Sequence, residues 1–283
     1  MSAQTFLALV LFSVYHGNLS NNSFLKLKLF MNYRPFEIFE NKSATPWVII
    51  CDHASNIVPE SVAKGSLGLD KLEMKRHIAF DIGAKNLAVE LGNILKAPVI
   101  CSNFSRLVID PNRGEKDPTL VMQLYDGTII PANKNVEKTE ILRRLNLFYR
   151  PYHDAIEQVL ASLENPIVVS IHSFTPQLKG KKKRPWQIGL LAANDRRLHD
   201  VFLRCLKQEQ CLYIGDNQPY VGKLPGDTID QHAIKKGRLN TLIEVRNDLI
   251  CNNENQKKWA AIIGKKLNQA KDLLDGRSFK NKT

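Results

Sequence analysis

WVIICDHASN, residues 47–56, decides the reading of the fold. Its first half, Trp47-Val48-Ile49-Ile50-Cys51, is an unbroken apolar run rich in the β-branched and aromatic side chains of a strand covered on both faces. Its second half, Asp52-His53-Ala54-Ser55-Asn56, turns polar at once. In open α/β sheets ligands gather beyond the carboxyl ends of the strands, so a histidine delivered there reaches a substrate or a metal. His53 is the first candidate site residue, against the plainer alternative of a hydrogen-bonded turn histidine.

Outward from this stretch, strands and helices alternate. Residues 69–95 carry Ile78, Ile82, Leu87, Leu91 and Leu95 near the helical period and predict a helix that covers the sheet. Strands follow over 97–101 and 106–110, the second emptying into Pro111-Asn112-Arg113-Gly114. Residues 115–135, with Pro118, Gly127 and Pro131 and little periodicity, predict a long loop of the kind that shapes a site. Residues 136–163 form the longest helical pattern, kinked by Pro151. A strand over 167–171 then delivers His172-Ser173-Phe174-Thr175. Further strands are predicted over 186–193, 211–215 and 239–245, and helices over 195–207 and 259–274. The whole reads as an α/β chain without an internal repeat.

With 283 residues, 43% apolar and 24% charged, the chain is long enough for one large domain with a substantial core. A formal charge of +12 admits polyanion or membrane-surface contacts, and the same field would draw in a small anionic substrate. The densest basic run, KGKKKR at 179–184, has no interleaved aromatics and reads as a solvated loop, so neither nucleic acid nor membrane is the expected partner. Five cysteines, odd in number, without a CxxC pair and in two cases inside predicted strands, point to reduced, buried thiols and a cytoplasmic setting. TFLALVLFSVY at 5–15 has the length of a signal-peptide core but is too short to span a bilayer. No Lys or Arg precedes it and no small-x-small cleavage pattern follows. Met31 opens a more ordinary start, MNYRPFEIF, so residues 1–30 are expected to be a dispensable or misassigned extension of a single domain over 31–283.

Three predicted strands end in His53, His172 and Glu244. Two neutral imidazoles and a carboxylate are what a catalytic zinc site commonly needs, with one position left open for water. Their shared location at strand carboxyl ends gives the set its force, because one crevice could collect them. His77 and His153 lie on helical patterns and read as structural or exposed. Ser55 and Ser173 lie outside any G-x-S-x-G elbow and are not expected nucleophiles.

The ordered motifs CDHASN, AFDIG at 79–83, SRLVIDPNR, VSIHSF, WQIGLL, GDNQPY and IEVRND together resemble the N-formylglutamate amidohydrolase family, from Trp47 to the final helix. The resemblance implies a fold similar to the zinc carboxypeptidases (phosphorylase/hydrolase-like), a three-layer α/β/α arrangement around a mixed, mainly parallel sheet. His53 and His172 match metal-binding histidines of a site for one zinc ion per chain, and Glu244 matches the general base. Asn112-Arg113 resembles the Asn-Arg pair that holds a substrate carboxylate in carboxypeptidases, and Arg106 is a second candidate clamp, since a guanidinium offers planar paired donors. One departure matters: the carboxypeptidase motif has Glu three residues after the first His, where this chain has Asn56. The remaining ligand is then Asp81, or Asn56 through its amide oxygen, or the metal is held weakly. Asn217 and Tyr220 read as a site wall or a plain turn, and His232 as a further candidate for substrate contact.

The activity implied is metal-dependent removal of a formyl or other acyl group from an N-acyl amino acid such as N-formylglutamate. A nearer rival is a zinc carboxypeptidase or peptide amidase acting on short or cell-wall peptides. A rival of another class is a non-catalytic anion- or nucleic-acid-binding protein with a degraded metal site.

Overall fold

The alternating patterns become a seven-stranded sheet with helices on both faces. The computed structural model describes residues 33–41 and 45–276, so the extension expected at 1–30 lies outside the described residues. In chain order come β1 (Phe36–Phe39), β2 (Trp47–Cys51), α1 (Ala84–Leu95), β3 (Val99–Ser102) and a small hairpin of β4 (Leu124–Tyr125) and β5 (Thr128–Ile129). Then follow α2 (Lys138–Arg144), a π turn (Leu145–Tyr149), α3 (Arg150–Ala161), β6 (Ile167–Phe174), β7 (Ile188–Leu191) and α4 (Arg197–Leu206). The chain closes with β8 (Ile214–Asp216), α5 (Thr228–His232), β9 (Asn240–Arg246) and α6 (Asn253–Leu274). Among the described residues no helix is long and apolar enough to cross a membrane.

The sheet order is β1-β3-β2-β6-β9-β7-β8. The pairs β3/β2, β2/β6, β6/β9 and β7/β8 are parallel, while β1/β3 and β9/β7 are antiparallel, the mixed, mainly parallel sheet expected from the sequence. Alternation along each strand separates two faces. Ile49, Val169, Ile171, Ile243 and Leu190 join α1, α4 and α6 in one apolar cluster. Asp52, Ser170, His172 and Glu244 point to the other face, where the Tyr152 hydroxyl of α3 donates to Asp52 at 2.9 Å. In the parallel register His172 stands beside Glu244, so two of the expected site residues are direct neighbours on one face.

Three expectations are corrected. The helix predicted over 69–95 is helical only from Ala84. Gly83, at φ +81°, opens it in the left-handed region, and a Cβ there would lie 2.3 Å from the Ile250 carbonyl. The apolar residues before Gly83 therefore pack as turns, and the Asp81 backbone N–H donates to the His53 carbonyl at 2.9 Å. Gly83→Ala is expected to lower stability by more than about 2 kcal/mol. Urea unfolding reads this, and an unchanged midpoint would show that Ile250 moves aside freely.

Residues 106–110 form no strand. The Ser105 hydroxyl donates to Ala79 O at 2.7 Å and accepts from Leu107 N at 3.2 Å, and Val108 N–H donates to Ser105 O, so a side-chain-held turn takes the donors a ladder would use. Leu107, Val108 and Ile109 are nonetheless fully buried, which is why the run looked strand-like. Finally, FEIF is an edge strand, β1, where no strand was expected. Its burial is partial and its pairing antiparallel, so it lacks the long apolar run that marks the central strands.

The kink expected at Pro151 takes the form of the π turn just before it, where Arg150 N–H reaches back five residues to Leu145 O. Proline cannot donate and its ring crowds the preceding turn, and the wider turn relieves this. All five cysteines are free; Cys51, Cys101 and Cys205 are buried as expected, whereas Cys211 and Cys251 are exposed.

Candidate metal and active site

The carboxyl ends of β2, β6 and β9 open onto a cavity of about 280 Å³ whose lining includes His53, Asp81, His172 and Glu244. His53, Asp81 and His172 form a buried group whose potential ligand atoms all lie within 4.8 Å of one another. Asp81 Oδ2 is 3.3 Å from His53 Nδ1 and 2.8 Å from His172 Nδ1. Donor atoms bound to zinc at about 2.0–2.2 Å in a tetrahedron stand roughly 3.3–3.5 Å apart; the Asp81–His53 pair has this spacing, while Asp81 and His172 stand closer, at hydrogen-bond distance.

The far nitrogens of both rings face buried carboxylates. His53 Nε2 is 2.7 Å from Asp110 Oδ1. His172 Nε2 is 3.2 Å from Asp52 Oδ2, within ion-pair reach though off the line of a hydrogen bond. A carboxylate behind each imidazole keeps the proton on Nε2 and turns the Nδ1 lone pair inward, the arrangement that metal-binding histidines use. Asp52 also accepts from Tyr152, from Thr228 Oγ1 at 2.7 Å and from Ser170 Oγ at 3.3 Å.

These groups hold their charges against burial. Burial alone would raise the Asp52 and Asp81 carboxyls, but the two histidines outweigh it and both lie below the usual carboxylate range. Burial likewise raises Asp110, and Arg106 with His53 brings it well below that range. Burial lowers His172, yet Asp52 and Asp81 raise it overall, so in the absence of a cation they favour a proton on this ring. Glu244 differs: burial pushes its carboxyl up to about 7, Asp81 adding to the rise and His172 opposing it. Its Oε2 is buried with no hydrogen-bond partner among the described residues. A carboxylate held beside a cation site with one free oxygen can take up a proton from water.

Asn56 donates to the Met74 carbonyl at 2.8 Å, and Asp81 stands beside the two histidines in its place. Arg106 lines the cavity, but its guanidinium is already engaged, 3.3 Å from Asp81 Oδ1 and 3.0 Å from Asp110 Oδ2. It braces the Asp81 and Asp110 carboxylates. Arg113 and Asn112 line the cavity. Arg113 uses Nε on Thr119 and Nη1 on the Asn112 carbonyl, and Asn112 Oδ1 accepts from Thr228 N.

Tyr220 lines the cavity, with the half-buried Arg184 stacked 5.0 Å from its ring. The rest of the basic run, Lys181 to Lys183, is exposed, as a solvated loop should be. Asn217 instead clamps Ala192, accepting from its N–H at 2.9 Å and donating to its carbonyl at 3.1 Å. His232 is buried against His153 and Glu157 and is not part of the cavity wall.

Sequence reasoning missed Asp52 and Asp110, the partners of the two histidines. The signal was present, since each ends an apolar run that cannot bury a lone carboxylate cheaply. It also missed His77 and Asp227, both in the cavity wall. Asp227 caps α5 by accepting from Asp230 N, and burial pushes its carboxyl up to about 7.

No curated protein sequence matches this chain. Among solved structures it is similar to the gene product Atu2144 from Agrobacterium tumefaciens, with 30% identity, a TM-score of 0.81, and coverage of 86% of this chain and 97% of that one. It also shares its fold with the N-formylglutamate amidohydrolase from Ralstonia eutropha, at 20% identity and a TM-score of 0.61, over 86% of this chain and 99% of that one. Residues 45–251 match the family model for N-formylglutamate amidohydrolase, a span that contains every group of the site just described. On that match the chain belongs to the N-formylglutamate amidohydrolase family, and with it to the amidohydrolases.

Proposed function

We propose that the protein is a metal-dependent amidohydrolase that removes a formyl or other small acyl group from an N-acyl amino acid. The observation that carries this is the convergence of His53, Asp81 and His172 beside the unpartnered oxygen of Glu244 at one end of a cavity. The two imidazoles and the Asp81 carboxylate would hold one zinc ion. When bound, such an ion lowers the pKa of water toward about 7 and polarises an amide carbonyl. Glu244 would take the proton from the attacking water and hand it to the nitrogen of the departing amine. Arg113 and Asn112 would grip the amino-acid carboxylate and so convert binding into alignment. Tyr220 and the adjoining loop would close the wall around the acyl group.

Two measurements test this reading. Elemental mass spectrometry of protein purified without chelators should find near one zinc per chain, and N-formyl or N-acetyl amino acids should be hydrolysed. Cleavage of short peptides alone would move the assignment to a peptide amidase, and absence of both metal and turnover would end it. Arg113→Ala should raise KM roughly 10- to 100-fold with kcat little changed, the effect of losing about 1.5–3 kcal/mol of charged hydrogen bonding. An unchanged KM would remove Arg113 from the clamp.

A further inference from the structure

Beneath the segment that carries Asn112 and Arg113 lie two buried imidazoles that the mechanism above does not use. His153 Nε2 is 3.0 Å from the Pro111 carbonyl, and His153 Nδ1 is 2.8 Å from His232 Nε2. His232 Nδ1 is in turn 3.1 Å from Glu157 Oε2. The ring centroids are 5.1 Å apart with planes 17° from parallel, so the short contact runs edge to edge, nitrogen to nitrogen.

Protons can be placed by elimination. A carbonyl only accepts, so His153 Nε2 carries a hydrogen and, in a neutral ring, His153 Nδ1 is an acceptor. His232 Nε2 must then donate to it. Glu157 is a carboxylate, held down to about 2 chiefly by its hydrogen bonds with Arg238, so His232 Nδ1 must donate as well. All three contacts need three protons on four nitrogens. With two protons, one of the contacts sets an acceptor against an acceptor, an arrangement that burial penalises.

We infer that His153 and His232 share one buried positive charge, and that this proton makes them positioning residues for the segment 111–113, where the proposed carboxylate clamp sits. The segment is held from the same side at its other end: Tyr149 donates through its hydroxyl to Arg113 O at 2.7 Å, and its ring lies 4.2 Å from that of His153. Loss of the shared proton would therefore loosen the backbone on which Asn112 and Arg113 stand. The clamp's role rests on the proposed function above; the proton count does not.

The surroundings pull both ways. Burial pushes both rings toward the neutral form, His153 down to about 4 with His232 adding to the fall. Glu157 raises His232, Asp52 favours the charge on both rings and Glu115 favours it on His153, while Arg238 opposes it on His232. Tyr149 and Tyr152 face His153 as neutral rings. The third proton is present below the titration of the pair and lost above it, so KM for an N-formyl amino acid should rise as pH climbs through that point.

Glu157→Gln separates this from a merely structural role. The glutamine amide can donate to His232 Nδ1, which completes all three contacts with two protons and a neutral pair. Ring nitrogens of ¹⁵N-histidine-labelled protein, assigned with His153→Gln and His232→Gln, should show three protonated sites on the pair at the pH of lowest KM, and two in Glu157→Gln. The variant's KM should no longer depend on pH in that range, with its metal content unchanged. Two protons on the wild-type pair at the pH of lowest KM would overturn the proposal, as would a pH dependence of KM that survives in Glu157→Gln. If no N-acyl amino acid is turned over, the hydrolase reading fails, and the proton count still decides whether the charge is shared.

Discussion

Glu244→Gln should lower kcat by roughly 10²- to 10⁴-fold, the usual contribution of a positioned general base, while leaving the zinc content of the wild type. Glutamine keeps the shape and one acceptor but cannot take up a proton. Because burial pushes the Glu244 carboxyl up to about 7, the base is active only once it has lost its proton, so kcat/KM of the wild type should rise with pH through that titration. A dication alongside favours the carboxylate, which places the acid limb at or below about 7 in the loaded protein. The limb should vanish in the variant. Steady-state rates from pH 4 to 9, paired with metal analysis, read both effects, and turnover at the wild-type level would take Glu244 out of the reaction.

His172→Ala should remove metal and activity together. The ring lies between two buried carboxylates, Asp81 Oδ2 at 2.8 Å and Asp52 Oδ2 at 3.2 Å. Without it Asp52 loses the group that most favours its ionised form and Asp81 keeps only His53 of its two histidines, and breaking such a buried pair typically costs about 3–5 kcal/mol. The variant is therefore expected to be less stable as well as inactive, and circular dichroism must accompany the metal analysis to separate the two losses. One zinc per chain in a folded His172→Ala protein would place the ion elsewhere.

The central strands were legible because they are buried on both faces: β2 is apolar throughout, and β6 and β9 carry the short apolar runs Ile167–Val169 and Leu242-Ile243 ahead of the residue that enters the site. His53, His172 and Glu244 followed from those strand ends, and the resemblance added Asp81 and the proposed carboxylate clamp. Local pattern failed where side chains satisfied the backbone. Ser105 took the donors of a would-be strand, and the Ile250 carbonyl against Gly83 stopped a helix that periodicity alone would have carried back to residue 69. Which polar residues near the site reach it depends on rotamers set by distant segments, so Asn56 went to Met74, Asn217 to Ala192 and His232 to His153. Asp52 and Asp110 were hidden for a different reason. They lie inside the quoted motifs, beside the residues that were given roles, and each faces a ring contributed by a residue distant in sequence, Asp52 that of His172 and Asp110 that of His53.

The π turn before Pro151 has a consequence for helical phase. Arg144 Nη1 donates to the Val108 carbonyl, Tyr149 to that of Arg113 and His153 to that of Pro111, three oxygens of one short stretch. In an uninterrupted α-helix the nine residues from Arg144 to His153 would turn about 900°, leaving the two side chains back to back. The wide turn absorbs one residue and brings them round toward the same side. In this light the turn behaves as a one-residue insertion that was kept without shifting the faces on either side. A relative that grips the same stretch with a plain α-helix should be one residue shorter between the equivalents of Arg144 and His153, a length difference that sequence alone would reveal.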